Sequence, residues 1–375
     1  MNYKVTQTSL DKSTDSTLNG LQIIEYYEIT EQFSCCFGYF SCMKNSLLLH
    51  VLILILTTSI HSQSNKINGV SFVSPPKVIG STEIAQPNQL VHANYLSLMP
   101  YGFIPEGSTN LKYNTEWQWW GEKTEGAITM IELAKKEGYK IMLKPHVWIK
   151  HGTFTGHHTY SNSKEWEAFE VSYSKYILDF TRLAEKHQVE LFCIGTEWGK
   201  FVEERPLYWK RLIKEVRKVY SGKLTYAANW DEYSKVPFWK ELDYIGVDAY
   251  FPLAQEKTPT AAQVKYALLE PLHQLRIIST SNNKPILFTE FGYRSIDFTT
   301  KKPWESGREG VVNLQGQINA YEAFFECFWQ QEFIAGGFIW KWFANHSNAG
   351  GESNNGFTPQ NKPVERVIKN WYSLK

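Results

Sequence analysis

Short, nearly continuous apolar runs recur along the chain after about residue 64. They fall at Gly69–Val73, His92–Met99, Lys140–Val147, Glu190–Glu197, Lys223–Asn229, Tyr244–Phe251, Pro285–Phe291 and Ala335–Trp342. A strand that is apolar on both faces is covered on both faces, as in a parallel sheet flanked by helices. Between the runs the period changes. Trp209, Leu212, Ile213, Val216, Val219 and Tyr220 follow each other at helical spacing, with Gly222 as a stop. Trp166, Phe169, Tyr173, Ile177, Phe180 and Ala184 form a second stripe, and Ile128, Ile131 and Ala134 a shorter one before Gly138. Eight strands alternating with helices predict an α/β fold, a (β/α)8 barrel, as one domain over residues 64–375. The alternative is an open doubly wound sheet, but no G-x-G-x-x-G turn follows the first run.

The N-terminal part has a different pattern. Ser46–Ile60 is a continuous apolar run preceded by Lys44 and followed by small and polar residues. That order is the order of a secretory signal. The run is short for a membrane span, which takes about 20 residues. Residues 43–63 are therefore expected to be a signal peptide, with an uncleaved signal anchor as the rival reading. Met43 is the expected start, and residues 1–42 read as an over-extended beginning. The protein is then expected to be secreted or periplasmic, without stable membrane insertion once the signal is removed.

Composition narrows the function classes. The formal net charge is +1, which gives no electrostatic case for nucleic acid or an anionic membrane surface. Aromatic residues make up 15% of the chain, with 14 Trp and 21 Tyr. Such residues suit cores and stacking surfaces alike, but the cluster Trp117-Gln118-Trp119-Trp120 is hard to bury completely. Cys193 lies in an apolar strand and Cys327 in an aromatic helix, so both read as small core residues. No disulfide framework or zinc motif is visible.

Two of the runs end alike, in Thr-Glu followed by an aromatic residue: "GTEW" at Glu197 and "TEFGYR" at Glu290. In a barrel of this kind functional residues stand at the C-terminal ends of the strands. Counted in order, Glu197 ends the fourth strand and Glu290 the seventh. Other ends carry His146 and Trp148 (third), Asn229 and Trp230 (fifth), Asp248 and Tyr250 (sixth), and Trp340 and Trp342 (eighth). Two carboxylates among aromatic faces are the equipment of glycoside hydrolysis, in which one carboxyl gives a proton and the other stays ionised. Each glutamate alone reads equally as a structural ion pair; the pair together does not. Trp198 and neighbouring aromatics are expected to shield Glu197 and raise its pKa.

The phrases "KPHVW", "GTEW", "YIGVDAYFPL", "TEFGYRS" and "GGFIWKWF" together resemble glycoside hydrolase family 113, from about Asn68 to Tyr372. The resemblance implies a clan A barrel and a retaining hydrolase of β-linked glycans, β-1,4-mannan first. It assigns the acid/base to Glu197 and the nucleophile to Glu290. By the same analogy Tyr250 supports Glu290, and Trp340 forms a sugar floor. Most clan members have Asn before the acid/base, in contact with the sugar 2-hydroxyl; here the residue is Thr196. An exo-acting β-glycosidase and a non-catalytic carbohydrate-binding barrel remain as alternatives. No cofactor is expected, the partner is a polysaccharide or oligosaccharide, and the protein is expected to be a monomer. His146, His151, His157 and His158 match no H-E-x-x-H spacing, so they read as site and loop residues rather than metal ligands. Ser347–Pro363 reads as a polar loop, either a plain connection or a cleft wall.

Overall fold

The computed structural model describes residues 66–149, 153–307 and 309–374. The expected start (1–42), the expected signal (43–63) and His151 lie outside the described residues. In chain order the elements are β1 (Ile67–Phe72), α1 (Ser81–Val91), β2 (Tyr95–Leu98), β3 (Tyr101–Ile104), α2 (Thr124–Lys136), β4 (Lys140–Leu143) and β5 (His146–Ile149). Then come α3 (Ser163–Lys186), β6 (Leu191–Thr196), α4 (Gly199–Glu204), α5 (Pro206–Val219), β7 (Lys223–Asn229) and β8 (Ile245–Asp248). The series closes with α6 (Ala261–Ala267), α7 (Leu269–Asn282), β9 (Ile286–Phe291), α8 (Leu314–Phe328), β10 (Ile334–Trp342) and α9 (Val364–Tyr372).

Eight strands close into a parallel barrel in the order β1-β10-β9-β8-β7-β6-β4-β2. The (β/α)8 expectation is met. Side chains alternate along each strand, so one set points into the barrel and the other outward. Ile67, Met142, Leu191, Cys193, Ala227, Leu287 and Phe338 form a small cluster drawn from strands alone, which is the filled interior. Gly69 leaves the space that the Phe338 ring occupies there, since a Cβ on it would collide with that ring. A larger core lies between strands and helices and takes in all three helical stripes. In α3 the stripe from Trp166 to Ala184 is buried, and the Asn162 side chain caps the first turn by accepting from the Glu165 N–H at 3.0 Å. Cys193 and Cys327 are buried free thiols, as expected. No described helix is long and apolar enough to cross a membrane.

One strand expectation needs correction. The run Lys140–Val147 is two strands, not one. β4 ends at Leu143, and β5 pairs with β3 in a separate two-stranded parallel sheet, with Tyr101 opposite His146. The preceding strand breaks likewise at Pro100, and β5 is preceded by Pro145. Neither proline has an N–H to give to a ladder. The barrel's third strand thus ends at Leu143, with Lys144 just past it, while His146 and Trp148 ride on an extension beyond the barrel mouth.

Candidate active site

All barrel strands are parallel, so their C-terminal ends share one mouth. Register then decides who meets whom. Thr196 of β6 lies opposite Ala227 of β7, Asn229 opposite Asp248 of β8, and Asp248 opposite Glu290 of β9. Glu290 is almost fully buried, with both oxygens acting as acceptors. Oε1 accepts from Lys144 Nζ at 2.6 Å and Oε2 from the Tyr250 hydroxyl at 2.8 Å. That is the bonding pattern of an ionised carboxylate. Lys144 is wholly buried and also stands 3.4 Å from Asp248 Oδ1, which accepts from Thr289 Oγ1 at 2.6 Å. Burial alone would lower the Lys144 pKa, but Asp248 and Glu290 outweigh it and hold the ammonium well above its ordinary value. Asp248 is pushed up to about 7 by burial and by Glu290, against the pull of Lys144. Its Oδ2 is buried without a partner. One buried cation therefore serves two carboxylates.

Glu197 is in a different condition. It is half-buried, and its carboxyl has no hydrogen-bond partner among the described residues. Burial, then the charges of Asp248 and Glu290, raise its pKa well above the ordinary value. Its backbone is left-handed, with φ 53°, a conformation that costs a non-glycine residue roughly 1–2 kcal/mol. β7 holds it there: the Glu197 N–H donates to Ala227 O at 2.8 Å, and the Trp198 N–H to the Tyr226 hydroxyl at 2.7 Å. Strain fixed by its surroundings at a strand end is common at functional sites. Trp198 does not shield Glu197 as expected. Its ring is buried among His158, Phe169, Tyr173 and Phe201 on the helix side of the barrel. The raised pKa rests on burial and like charge.

The aromatic ring of the mouth is partly as expected. Trp340 is half-buried, nearly parallel to His146 with centroids 6.4 Å apart. His146 Nε2 lies 3.8 Å from Glu290 Oε1, and burial followed by the Lys144 charge pushes its pKa well down, so the imidazole is neutral. Trp148 is 54% exposed and stacks on Tyr101 at 5.9 Å. Asn229 is half-buried, with Oδ1 accepting from the Trp230 N–H, and Trp230 stacks on Trp304 at 5.2 Å. Two expected residues do not stand in the mouth. Trp342 is fully buried with its ring against His346, because the β1–β10 register slips by one residue between Ile339 and Trp342 and reverses the side-chain alternation there. Asp248 is sealed below Glu290 and can act only through Lys144 and its neighbours. The Thr196 hydroxyl is buried without a partner. Lys144 and Tyr101 were not singled out from sequence; a lysine inside "IMLKPHV" was the available signal for the first.

A cavity of about 890 Å³ shares Trp340 with the mouth, though neither Glu197 nor Glu290 lines it; Tyr101, Trp117, Trp119 and Trp148 are on one side and Trp340, Lys341 and Arg294 on the other. Asn354–Thr358 contribute to its lining, so the Ser347–Pro363 loop is a cleft wall. Among the described residues no group of three His, Cys, Asp or Glu is placed to hold a metal ion.

The family model described as Glycoside Hydrolase Family 113 matches residues 89–362. A family 113 β-1,4-mannanase solved as a complex is 25% identical, with a TM-score of 0.72, over 83% of this chain and 100% of that one. A family 113 β-mannanase from Alicyclobacillus acidocaldarius, solved in complex with ManMIm, is 24% identical, also with a TM-score of 0.72, over 83% of this chain and 98% of its own. No curated protein sequence matches the chain.

Proposed function

The chain belongs to glycoside hydrolase family 113 and is a glycoside hydrolase, and on that footing we propose that it is a secreted, retaining β-mannanase working through Glu197 and Glu290. The carrying observation is the contrast between the two carboxyls. Glu290 accepts from Lys144 and Tyr250 and suits a charged nucleophile. Glu197 has no donor and a raised pKa, and suits an acid that must hold its proton. In the first step Glu290 attacks the anomeric carbon while the glycosidic C–O bond breaks and the leaving oxygen takes the Glu197 proton. In the second step Glu197 takes a proton from water, whose oxygen displaces Glu290 from the same carbon. His146 remains neutral and adds no charge beside Glu290. Trp340 offers its face to the sugar before the cleaved bond.

Mannan as the substrate is supported by the activity of the 25%-identical family 113 β-1,4-mannanase. The test is hydrolysis of β-mannan, β-glucan and xylan with product sizes read out. Mannan cleaved to a ladder of oligosaccharides is the expected result. Release of monosaccharide alone would favour an exo-acting glycosidase, and no cleavage of any of the three would overturn the reading.

A further inference from the structure

The cavity that shares Trp340 with the mouth is not a neutral sugar trough. Its two walls differ in chemistry. Strands β3 and β5 and the segment after β3 supply aromatic faces: Trp117 is 62% exposed, Trp119 51%, and Trp148 stacks on Tyr101. The loop after β9, the end of β10 and the loop that follows it supply cations. Arg294 is 94% buried, yet no carboxylate pairs with it among the described residues. Its Nε donates to Asn355 O at 3.1 Å and one Nη to Glu309 O at 2.7 Å, which fixes the guanidinium plane and leaves the other Nη without a partner among the described residues. Lys341 lines the same wall with its ammonium 5.2 Å from the Trp340 centroid and 5.5 Å from that of Phe343, and it too has no ion-pair partner among the described residues. Behind them Lys362 is buried, donating only to Ser295 Oγ and Gly356 O.

Burying cations without counter-charge is unfavourable unless something anionic completes the site. All three have pKa values lowered, first by burial; Arg294 adds its repulsion at Lys362, which falls to about 7. Glu305 acts on Arg294 and Glu290 on Lys341 only at longer range. The one carboxylate in the lining, Glu122, is on the opposite, aromatic wall and accepts from the Trp119 N–H at 3.1 Å. A guanidinium held flat by two backbone carbonyls with a free N–H edge matches a carboxylate group.

We propose that this cavity binds a carboxylate-bearing sugar, so that the enzyme acts on a uronic-acid-containing β-linked glycan, with the acid held by Arg294 and Lys341. The proposal rests on the hydrolase reading above for the direction of cleavage, but not for binding. The test takes oligosaccharides of equal length that are neutral, uronate-bearing or sulfated. It measures kcat/KM for the wild type and Lys341→Gln, and binding to the inactive Glu290→Gln by calorimetry. The uronate-bearing substrate should be preferred about 10–100-fold, the worth of a charge-assisted hydrogen bond. The preference should shrink at high salt and fall several-fold in Lys341→Gln, whose side chain makes no fold-bearing hydrogen bond. Equal or better turnover of the neutral substrate by the wild type, or a preference that Lys341→Gln leaves intact, overturns the proposal. A stronger preference for the sulfated substrate overturns the carboxylate assignment. Tight binding of the uronate to Glu290→Gln without any wild-type hydrolysis would refute the hydrolase reading and leave the cavity's assignment standing.

Discussion

Replacing Lys144 by methionine keeps most of the side-chain volume and removes one buried charge. Two carboxylates then face each other without their shared cation: Glu290 loses a partner at 2.6 Å and Asp248 one at 3.4 Å. Removing one partner of a buried ion pair typically costs about 3–5 kcal/mol. The loss must depend on pH. In the native protein Asp248 is pushed up to about 7 from an ordinary 3.8. The folded chain therefore holds a proton that the unfolded chain releases, and this group's contribution to stability falls as pH rises from about 4 to about 7. Lys144 is the group that pulls Asp248 down, so without it the window extends to higher pH. The variant can take up one proton in place of the ammonium, and each pH unit over which it holds that extra proton is worth about 1.4 kcal/mol. Urea denaturation at pH 8 and pH 6 should show the full loss at pH 8 and a loss smaller by up to about 1.4 kcal/mol at pH 6, because below about pH 7 the wild type holds the same proton on Asp248 and one unit of the interval remains. Adding Asp248→Asn removes the like charge and should recover part of the loss at pH 8. An equal loss at both pH values, or no recovery in the double variant, would refute the shared-cation reasoning.

Tyr250→Phe deletes the 2.8 Å hydrogen bond to Glu290 Oε2; kcat should fall about 10–100-fold, as expected for a bond to a charged group, and an unchanged kcat would reject the support role. The raised Glu197 pKa sets the basic limb of the pH–rate profile, since activity falls as pH rises through the pKa of a required acid. Glu197→Ala, assayed on an activated aryl glycoside, should lose that limb in the first step, and a limb left in place would assign it elsewhere. Trp340→Ala should raise KM for oligosaccharides without unfolding the chain, because the ring is only half-buried at the mouth; circular dichroism and steady-state kinetics together check this.

The barrel was legible because its strands announce themselves as doubly covered apolar runs, and because its helices carry stripes at helical spacing. Register in a parallel barrel is then nearly forced, which brought Glu197, Asn229, Tyr250 and Glu290 to one mouth. What sequence did not disclose was depth. Trp340 and Trp342 stand two apart in "IWKW" and would share a face in a regular strand, yet a one-residue register slip between β1 and β10 turns one to the cavity and the other to the outer core. Asp248 and Lys144 look like surface groups in composition. Only the closed barrel shows them sealed beneath Glu290, where one charge is shared among three groups. The break at Pro145 was visible as a residue, but its consequence, a second small sheet carrying His146 and Trp148, depends on the matching break at Pro100. The cationic wall is dispersed over the loop after β9 and the end of β10, and no local spacing joins Arg294 to Lys341.

The central claim is that Glu290 attacks and Glu197 exchanges the proton, and azide rescue of the Glu197→Ala variant tests it most directly. With an activated aryl β-mannobioside, whose leaving group needs little protonation, the variant should still form the glycosyl-enzyme. Breakdown should be slow because no base activates water, and azide should restore turnover and give a mannobiosyl azide of retained β configuration by NMR. On mannan itself the same variant should lose at least about 10²–10⁴-fold, the usual worth of general acid–base help. Near wild-type cleavage of mannan by Glu197→Ala, or a retained azide product from Glu290→Ala instead, would contradict the account.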